Sequence, residues 1–350
     1  MDNKNTKSTG GKRAALITLC VVLGIVLALL LTGTIFVTQK LGKINRPGNN
    51  DPLTPDQLAS ILADDDDDED ATGPSVNKDD INWGGDVEIV ESGENIINIL
   101  LIGQDARGNE RARSDSMILC TFNKEENTLT MTSFLRDLYV RIPGYYDQRI
   151  NVPYLLGGME LLDETLEYNF GVQVDGNVEV NFGYFSEIIE VLGGVDIELT
   201  GAEARYINNQ LYQEAYPDLT EGMQHLNGKQ ALTYARIRKV GGNGDFGRTE
   251  RQRKLINSLI EKFRNSDLTT MLGLLDQILP MFTTDMSNSK IISLAMELFP
   301  MLADMEIVSQ RIPADGDYYL AMVDEMSVII ADMDACRELL KETLTDGSPE

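Results

Sequence analysis

Acidic residues and arginines recur together in three separate segments of this chain. The first segment holds Asp105, Arg107, Arg113 and Asp115, the second holds Arg136 and Asp137, and the third holds Arg236, Arg238, Asp245, Arg248, Arg251 and Gln252. The chain has a formal net charge of −26, so these arginines do not reflect a basic background. One guanidinium group can bind two phosphate oxygens at once, and carboxylates bind Mg²⁺. The pattern therefore points to a phosphorylated ligand held together with a hard metal ion.

The first segment begins directly after the apolar run 96–102, which is typical of a strand covered on both faces. Its spacing from Gly103 to Gly108 begins like a P-loop, but the Lys and Ser/Thr of that motif are missing. A loop at the carboxyl end of a strand remains, and ligands of α/β sheets usually bind there. Asp105 and Asp115 could share a cation at this edge; the alternative is that both only cap turns.

The second segment follows a strand predicted over 129–133, whose neighbour begins near Asp115. The Arg136 and Asp137 pair can therefore lie on the same side of the sheet as Asp115, although such a pair alone is more often a surface ion pair. His225 is the only histidine and has no suggested nucleophile nearby, so a structural role is favoured for it.

In the third segment, Arg236 and Arg238 are two residues apart. Inside a helix they would point to different sides, but at a fraying helix end both can approach one anion. Arg248 and Gln252 are four residues apart, so they share one face in the first turns of a predicted helix. The helix dipole and the free backbone amides favour a phosphate at that end.

Hydrophobic periodicity predicts the elements that must position these residues. Strands are predicted over 96–102, 117–122, 129–133, 174–180, 307–312 and 326–330, and helices over 153–168, 182–192, 227–238, 248–263, 268–279, 287–302 and 332–344. Hairpin-linked strands and crossover helices both occur. We therefore expect one α/β domain over residues 95–345, with a mixed central sheet flanked by helices on both faces.

The first 94 residues differ in composition from this domain. Residues 14–37 contain no charged side chain and are long enough for one transmembrane helix, which we favour over a cleaved signal peptide. Basic residues in the tail 1–13 predict that the tail stays in the cytoplasm and that the domain is extracellular. Residues 38–94 include the acidic run 64–70 and predict a flexible linker.

The net charge and the cysteine content limit the functions that the chain can have. The isoelectric point near 4.3 argues against non-specific nucleic-acid binding, which needs a basic face. The three cysteines have no spacing that suggests a metal site or a disulfide framework.

An ordered series of motifs carries a resemblance to a known family. The series comprises Asn98–Arg107, Arg113–Met117, Ser133–Asp137, Tyr139–Gly144, Arg149–Asn151, Leu192–Asp196, His225–Arg238 and Asp245–Gln252. In order and spacing it resembles the LytR-CpsA-Psr family, over residues 95–263.

The resemblance implies an extracytoplasmic phosphotransferase. Such an enzyme moves a glycopolymer, of the teichoic acid or capsular polysaccharide type, from an undecaprenyl-pyrophosphate carrier to peptidoglycan and releases undecaprenyl phosphate. It implies Mg²⁺ at Asp105 and Asp115, and a polyprenyl chain in an apolar tunnel between sheet and helices. The implied pyrophosphate ligands are Arg107, Arg113, Arg136, Arg149, Arg236, Arg238, Arg248 and Gln252, and the implied catalytic residues are Asp105, Asp115, Arg136, Asp137 and Arg236.

Two other functions stay open from the sequence. A pyrophosphatase would use water in place of the sugar hydroxyl at the same site. A surface binding or regulatory module would use the domain without chemistry, which the long acidic linker and the lack of an obvious base both permit. A cytoplasmic transcription regulator is least favoured, because of the predicted membrane anchor and the acidic charge.

Overall fold

The computed structural model describes residues 38–48, 73–90, 93–104, 111–241, 244–265, 273–274 and 276–345. The predicted cytoplasmic tail 1–13 and transmembrane helix 14–37 lie outside these residues, as does half of the helix predicted over 268–279; residues 273–274 and 276–278 of that helix are described and helical. Within the described part of the chain, no helix combines the length and apolar character needed to cross a bilayer.

The domain alternates strands and helices along the chain. The strands are β1 (Ile96–Gln104), β2 (Ser114–Asn123), β3 (Thr128–Phe134), β4 (Tyr139–Val140), β5 (Gln148–Arg149), β6 (Gly176–Asn181), β7 (Val195–Leu199), β8 (Gly222–Leu226), β9 (Thr283–Thr284), β10 (Glu306–Ile312), β11 (Tyr318–Val323) and β12 (Met326–Ala331). The helices are α1 (Val152–Phe170), α2 (Phe182–Val191), α3 (Gly201–Gln210), α4 (Gly228–Ala235), α5 (Gly244–Arg264), α6 (Asn288–Leu298) and α7 (Met333–Leu344), and short 3₁₀ helices span Lys78–Asp80 and Leu279–Met281.

Six strands form the central sheet in the order β10-β3-β2-β1-β6-β9. β1, β2 and β3 pair antiparallel, whereas β6 pairs parallel to β1 and β10 pairs parallel to β3. Antiparallel pairs follow from short hairpins and parallel pairs from helical crossovers, which is why both occur in one sheet. The predicted mixed sheet is confirmed.

Both faces of the sheet are covered by helices, as the apolar run of β1 predicts. Successive side chains of a strand point to opposite faces. Leu100 and Ile102 therefore pack with α1 and α7 in one apolar cluster. Ile97 and Ile99 pack with residues of α5 and α6 in another. β1 is therefore buried on both sides, at the centre of the domain.

A two-stranded sheet and one helix form a further layer that the sequence does not predict. No element is predicted between residues 193 and 226, whereas the structure has β7, α3 and β8 there. β7 alternates buried and exposed residues over Val195–Leu199, a pattern too short to stand out. α3 begins with a capping box in which Thr200 and Glu203 satisfy each other's free amides. This layer packs with α2 and α4 around Tyr234.

Two stretches within the predicted linker pack against the domain. Asn45 forms a parallel bridge with Thr283 of β9, and Ser75 forms one with Met322 of β11. Ile81 is buried against β11 and β12. Residues 38–48 and 73–90 therefore do not form the free linker that the sequence predicts. Their few apolar residues lie among polar ones, so composition alone misses them; the acidic run 64–70 lies outside the described residues.

An acidic cluster joins α1 to β6. Asp163 Oδ2 accepts a hydrogen bond from Asn177 Nδ2 at 2.7 Å, and the same nitrogen donates to Asp285 Oδ2 at 2.8 Å. The other oxygen of Asp163 has no hydrogen-bond partner among the described residues. Burial raises the pKa of Asp163 to about 7, with the Asn177 hydrogen bond opposing the shift and the charge of Asp285 adding to it.

This raised pKa predicts a pH-dependent stability. The folded protein keeps the Asp163 proton at pH values where the unfolded chain has lost it, so the stabilisation falls as the pH rises through about 7. We expect Asp163→Asn to raise the free energy of unfolding by about 1–3 kcal/mol at pH 8, and by less at pH 5.5. Urea unfolding at both pH values measures this, with the exposed neighbour Glu164→Gln as control. Equal effects at the two pH values would contradict the assignment.

Candidate active site

Asp115 and Arg136 meet where two neighbouring strands present their ends. β2 and β3 are antiparallel and pair from Met117 with Phe134, so the start of β2 lies beside the end of β3. Arg136 Nη1 donates to Asp115 Oδ1 at 3.1 Å. Both side chains are mostly buried, with 12% and 17% of their surface exposed. The sheet therefore brings the first and second segments together, as the sequence predicts.

A β-bulge sets the position of Asp115. Gly103 of β1 pairs with Ser116, but Gln104 pairs with Ser114, so Asp115 has no opposite residue in the ladder. An extra residue of this kind bends the strand and redirects its side chain. The bulge also releases the backbone of Asp115 from regular strand pairing. Nothing in the sequence signals it.

Helix α5 begins against this bulge. Arg248 Nη2 donates to the free backbone oxygen of Asp115 at 3.1 Å and forms an ion pair with Asp245 one turn earlier. Ser116 Oγ donates to Gln252 Oε1 at 3.0 Å. Arg248 and Gln252 therefore lie on one face of α5, as predicted, and this face packs against the start of β2. Asp245 belongs to the quoted motif but is not a predicted site residue, and the structure adds it as the partner of Arg248.

Asp137 connects this cluster to the β4–β5 hairpin. Its Oδ1 lies 3.3 Å from Arg136 Nε and 3.8 Å from Arg149 Nε. Arg149 Nε also donates to the backbone oxygen of Ser327 in β12 at 2.9 Å. The Arg149 guanidinium therefore contacts both β12 and Asp137. Arg149, which only the family resemblance assigns to the site, thus lies in the same cluster as Arg136.

Arg236 and Arg238 follow the end of α4, which stops at Ala235. Arg238 lies close enough for its charge to act on both Asp115 and Arg248. Arg236 caps the helix, and its guanidinium lies 5.2 Å from the centre of the Phe182 ring at the start of α2. The helix predicted over 227–238 thus ends three residues early, and the pair lies at the helix end rather than inside the helix.

Arg251 holds this stretch in place without pointing into the cluster. Its Nη1 and Nη2 donate to the backbone oxygens of Ile237 and Val240 at 3.1 and 2.9 Å. Its Nε donates to Glu203 of α3 at 2.7 Å. One buried guanidinium thereby connects α5, α3 and residues 236–240. We describe Arg251 as a positioning residue for Arg238.

Asp105 and Arg107 lie outside the described residues, but both flanks of their segment are described. Gln104 Nε2 donates to Glu179 of β6 at 2.7 Å, and the Gln104 side-chain oxygen accepts from the backbone amide of Ala112 at 3.0 Å. The next candidate, Arg113, lies near the phenol of Tyr146, on whose pKa its charge acts. The placement of the predicted ligands Asp105 and Arg107 stays a prediction.

The pKa values of the two buried aspartates in the cluster shift in opposite directions. Burial favours the neutral form of Asp115, but the charges of Arg248 and Arg136 outweigh it and lower the pKa. Burial raises the pKa of Asp137, which the charge of Arg136 opposes and that of Asp245 reinforces. Asp115 is therefore held ionised, whereas Asp137 is the carboxylate with the greater tendency to take a proton.

Arginines exceed acids in the described cluster. Asp115, Asp137 and Asp245 lie with Arg136, Arg149, Arg238 and Arg248. Burial lowers the pKa of Arg248, because the charges of Asp245 and Asp115 do not fully offset the desolvation. Arg248 Nε and Asp245 Oδ2 have no hydrogen-bond partner among the described residues. An anion with several oxygens would balance the excess positive charge and supply an acceptor for Arg248 Nε.

Asp115 fits one part of a magnesium site. Mg²⁺ is commonly held by one or two carboxylates together with phosphate oxygens, and Asp115 is ionised as such a ligand must be. Among the described residues, no group of three or more His, Cys, Asp and Glu side chains is arranged to hold a metal. The second predicted ligand, Asp105, lies outside them. The donor chemistry present therefore fits a metal shared with a phosphorylated ligand.

His225 lies away from this cluster on β8. Its Nδ1 is 2.7 Å from Oδ1 of Asp196, the residue opposite it on β7. Both side chains are exposed. This cross-strand contact agrees with the structural role that the sequence favours.

The role of Arg251 predicts a local effect of substitution. Arg251→Lys keeps a positive charge near Glu203 but cannot reproduce the fork that binds two carbonyl oxygens. We expect faster hydrogen–deuterium exchange in a peptide covering residues 236–241 and a loss of stability of about 1–2 kcal/mol. Lys254→Ala, at an exposed position of the same helix, is the control. Unchanged exchange in the Arg251 variant would contradict the positioning role.

Comparison with known proteins identifies the family. The family described as LytR_cpsA_psr matches residues 61–344. The chain is 33% identical over 235 residues to the polyisoprenyl-teichoic acid–peptidoglycan teichoic acid transferase TagU of Bacillus cereus, covering 66% of this chain and 73% of TagU.

Solved structures of related fold agree with this match. A structure of TagT bound to LI-WTA has a TM-score of 0.60 and 26% identity, covering 74% of this chain and 98% of TagT. The LytR-CPS2A-psr family protein YwtF (TagT) with bound octaprenyl pyrophosphate lipid has a TM-score of 0.56 at 23% identity, covering 75% and 99%, and shows the likeness of fold. The motifs, the fold and the sequence match agree, and the chain belongs to the LytR_cpsA_psr family.

Proposed function

We propose that the protein is a phosphotransferase that moves a glycopolymer from a polyprenyl-pyrophosphate carrier to peptidoglycan. The observation that carries this proposal is the ionised Asp115, buried between the guanidinium groups of Arg136 and Arg248. An arginine-rich, desolvated cluster of this kind suits a pyrophosphate whose charge shifts during reaction. The name of the relative TagU, as a transferase of teichoic acid to peptidoglycan, supports the same reaction.

In the proposed reaction, a hydroxyl group of the acceptor sugar attacks the phosphorus atom bonded to the glycopolymer. The bond from that phosphorus to the bridging oxygen breaks, and polyprenyl phosphate leaves with the bond's electron pair. Arg136, Arg238 and Arg248 neutralise the phosphate oxygens, and Arg113, Arg149 and Gln252 complete the binding surface. Asp137 is the described carboxylate whose raised pKa suits it to accept the hydroxyl proton.

We propose that Mg²⁺ is held by Asp115 and Asp105 together with pyrophosphate oxygens. When bound, the ion would stabilise negative charge on those oxygens. The lipid end of the donor would enter the apolar layer between the sheet and helices α5 and α6, where Ile97, Ile99 and Met131 face Ile256 and Leu294. Residues 14–37 would anchor the protein in the bilayer that holds the donor, with the domain outside the cell.

Transfer and hydrolysis give different products from the same site. We would supply the full-length protein in nanodiscs with a labelled polyprenyl-pyrophosphate glycopolymer and peptidoglycan. Label attached to peptidoglycan is the expected result. Release of a free phosphorylated glycan without attachment would instead establish the pyrophosphatase, and an unaltered donor would favour the binding module.

Substitutions in the cluster should reduce this transfer. Arg248→Lys keeps the charge but loses the planar guanidinium that contacts both Asp245 and the Asp115 backbone, and Asp115→Asn removes the ionised carboxylate. We expect each to lower kcat by about 10²-fold or more, the effect of removing one electrostatic group at a reacting centre. Lys254→Ala on the exposed side of α5 should retain wild-type transfer. Full transfer by both cluster variants would refute the proposed site.

Removal of divalent metal tests the proposed cofactor separately. Chelation with EDTA should abolish transfer, and added Mg²⁺ should restore it, because metal neutralisation of phosphate oxygens lowers the reaction barrier. Isothermal titration of Mg²⁺ in the presence of inorganic pyrophosphate should give weaker binding for Asp115→Asn than for wild type. Transfer that persists after exhaustive chelation would contradict the Mg²⁺ assignment.

A further inference from the structure

Two neighbouring depressions beside the β4–β5 hairpin form a surface groove. They have volumes of about 510 and 770 Å³, within the roughly 300–1,000 Å³ of small-molecule sites. Trp83 and Arg141 line both depressions. We call this surface the Trp83 groove. It is formed partly by residues 73–90, and the proposed donor site does not use it.

Aromatic rings run along the Trp83 groove. Trp83 stacks on Tyr139 with ring centres 5.9 Å apart and planes inclined by 27°. The guanidinium of Arg141 lies over Trp83, 4.6 Å from its ring centre. Tyr168 lines one depression and Tyr146 the other, and they expose 51% and 45% of their surface. Exposed rings spread over two connected depressions offer several flat surfaces for an extended ligand.

The groove is held rigidly. Arg337 of α7 donates to the backbone oxygens of Trp83, Gly85 and Asn169 at 3.0, 3.2 and 2.9 Å. The buried amide of Asn169 accepts from the backbone amide of Arg141 at 3.1 Å and donates to its backbone oxygen at 2.7 Å. The backbone that carries Trp83 and Arg141 is therefore fixed before any ligand binds, which reduces the entropy cost of binding.

The charges of the groove favour a ligand without strong net charge. Three bases line it, Lys78, Arg141 and Arg337, together with twice as many acids: Asp79, Asp86, Asp147, Glu164, Glu167 and Asp324. Because the acids outnumber the bases, a polyanion such as a phosphate-linked polymer meets more repulsion than attraction. Sugar rings instead present apolar C–H faces that stack on aromatic rings, and hydroxyl and amide groups that pair with carboxylates and guanidinium groups.

The groove borders the β4–β5 hairpin, which carries Arg149 of the arginine cluster. Gln148 lines it, and the next residue, Arg149, contacts Asp137. Tyr139, in the aromatic stack, is the residue opposite Arg149 in the β4–β5 ladder. Tyr146 also lies close enough to Arg113 for the arginine's charge to act on its phenol. A glycan in the groove would thus end beside the groups proposed to bind pyrophosphate.

We propose that the Trp83 groove binds the acceptor glycan strand, a chain of N-acetylated amino sugars, and brings its hydroxyl to the arginine cluster. The acceptor role rests on the proposed transferase function, whereas glycan binding itself does not. The groove thereby separates the acceptor from the anionic donor by charge, and the two substrates approach the cluster from different surfaces.

The chain contains a single tryptophan, so Trp83 is a built-in probe of this groove. Full-length protein in nanodiscs would be titrated with chitohexaose and with soluble uncross-linked peptidoglycan while the tryptophan emission is recorded. We expect a saturable change with both glycans and none with poly(glycerol phosphate). Tyr146→Ala and Tyr168→Ala should weaken the glycan affinity at least tenfold. Tyr212→Ala, an aromatic residue 76% exposed outside the groove, is the matched control and should bind as wild type.

Transfer kinetics test the acceptor role independently. The two groove variants should raise the KM for peptidoglycan at least tenfold and leave the KM for the donor unchanged, with circular dichroism confirming the fold. Wild-type transfer without any glycan effect on Trp83, or with an unaltered acceptor KM in both variants, would overturn the inference while leaving the transferase intact. Glycan binding at Trp83 without transfer would remove the acceptor role and the proposed function together. Binding that requires peptide stems and fails with chitohexaose would reject a sugar-binding groove.

Discussion

The desolvated charge of Asp115 is the constraint on which the rest of the site depends. Burial disfavours its ionised form, and the guanidinium groups of Arg248, Arg136 and Arg238 together outweigh that effect. Removing one partner of a buried ion pair typically costs about 3–5 kcal/mol, because the remaining charge is left uncompensated. The strand ends, the first turns of α5 and the residues after α4 must therefore stay together. The sheet and the helices are the frame that maintains this arrangement.

The same constraint explains how an acidic chain can bind an anionic donor. The net charge of −26 is spread over the whole sequence, whereas the described cluster holds more arginines than acids within a small volume. At about 0.15 M ionic strength, charges farther apart than about 8 Å are largely screened in solvent. The local excess of arginine therefore governs binding at the site. The proposed acceptor groove, in which acids outnumber bases, has the opposite charge balance to this cationic cluster.

Strong local patterns made much of the fold predictable from sequence. The apolar run of β1, the β2–β3 hairpin and the amphipathic helices are correctly predicted, because their periodicity is long enough to be distinctive. The approach of Asp115 to Arg136 follows from antiparallel pairing alone. The β7–β8 layer and the packing of residues 73–90 are missed, since five-residue strands and isolated apolar residues give weak signals. The support that Arg251 gives to residues 236–240 depends on tertiary contacts, which spacing cannot reveal.

Because of the bulge at Asp115, the site tolerates insertions and deletions between β1 and β2 but not at the start of β2. Asp115 is left unpaired because Gly103 pairs with Ser116 whereas Gln104 pairs with Ser114. The segment between the two strands can therefore change length while Asp115 remains the bulged residue. Inserting or deleting one residue between Ser114 and Met117 would instead exchange the two faces of β2. Natural length variation in relatives should therefore accumulate between the strands and stop abruptly at Ser114.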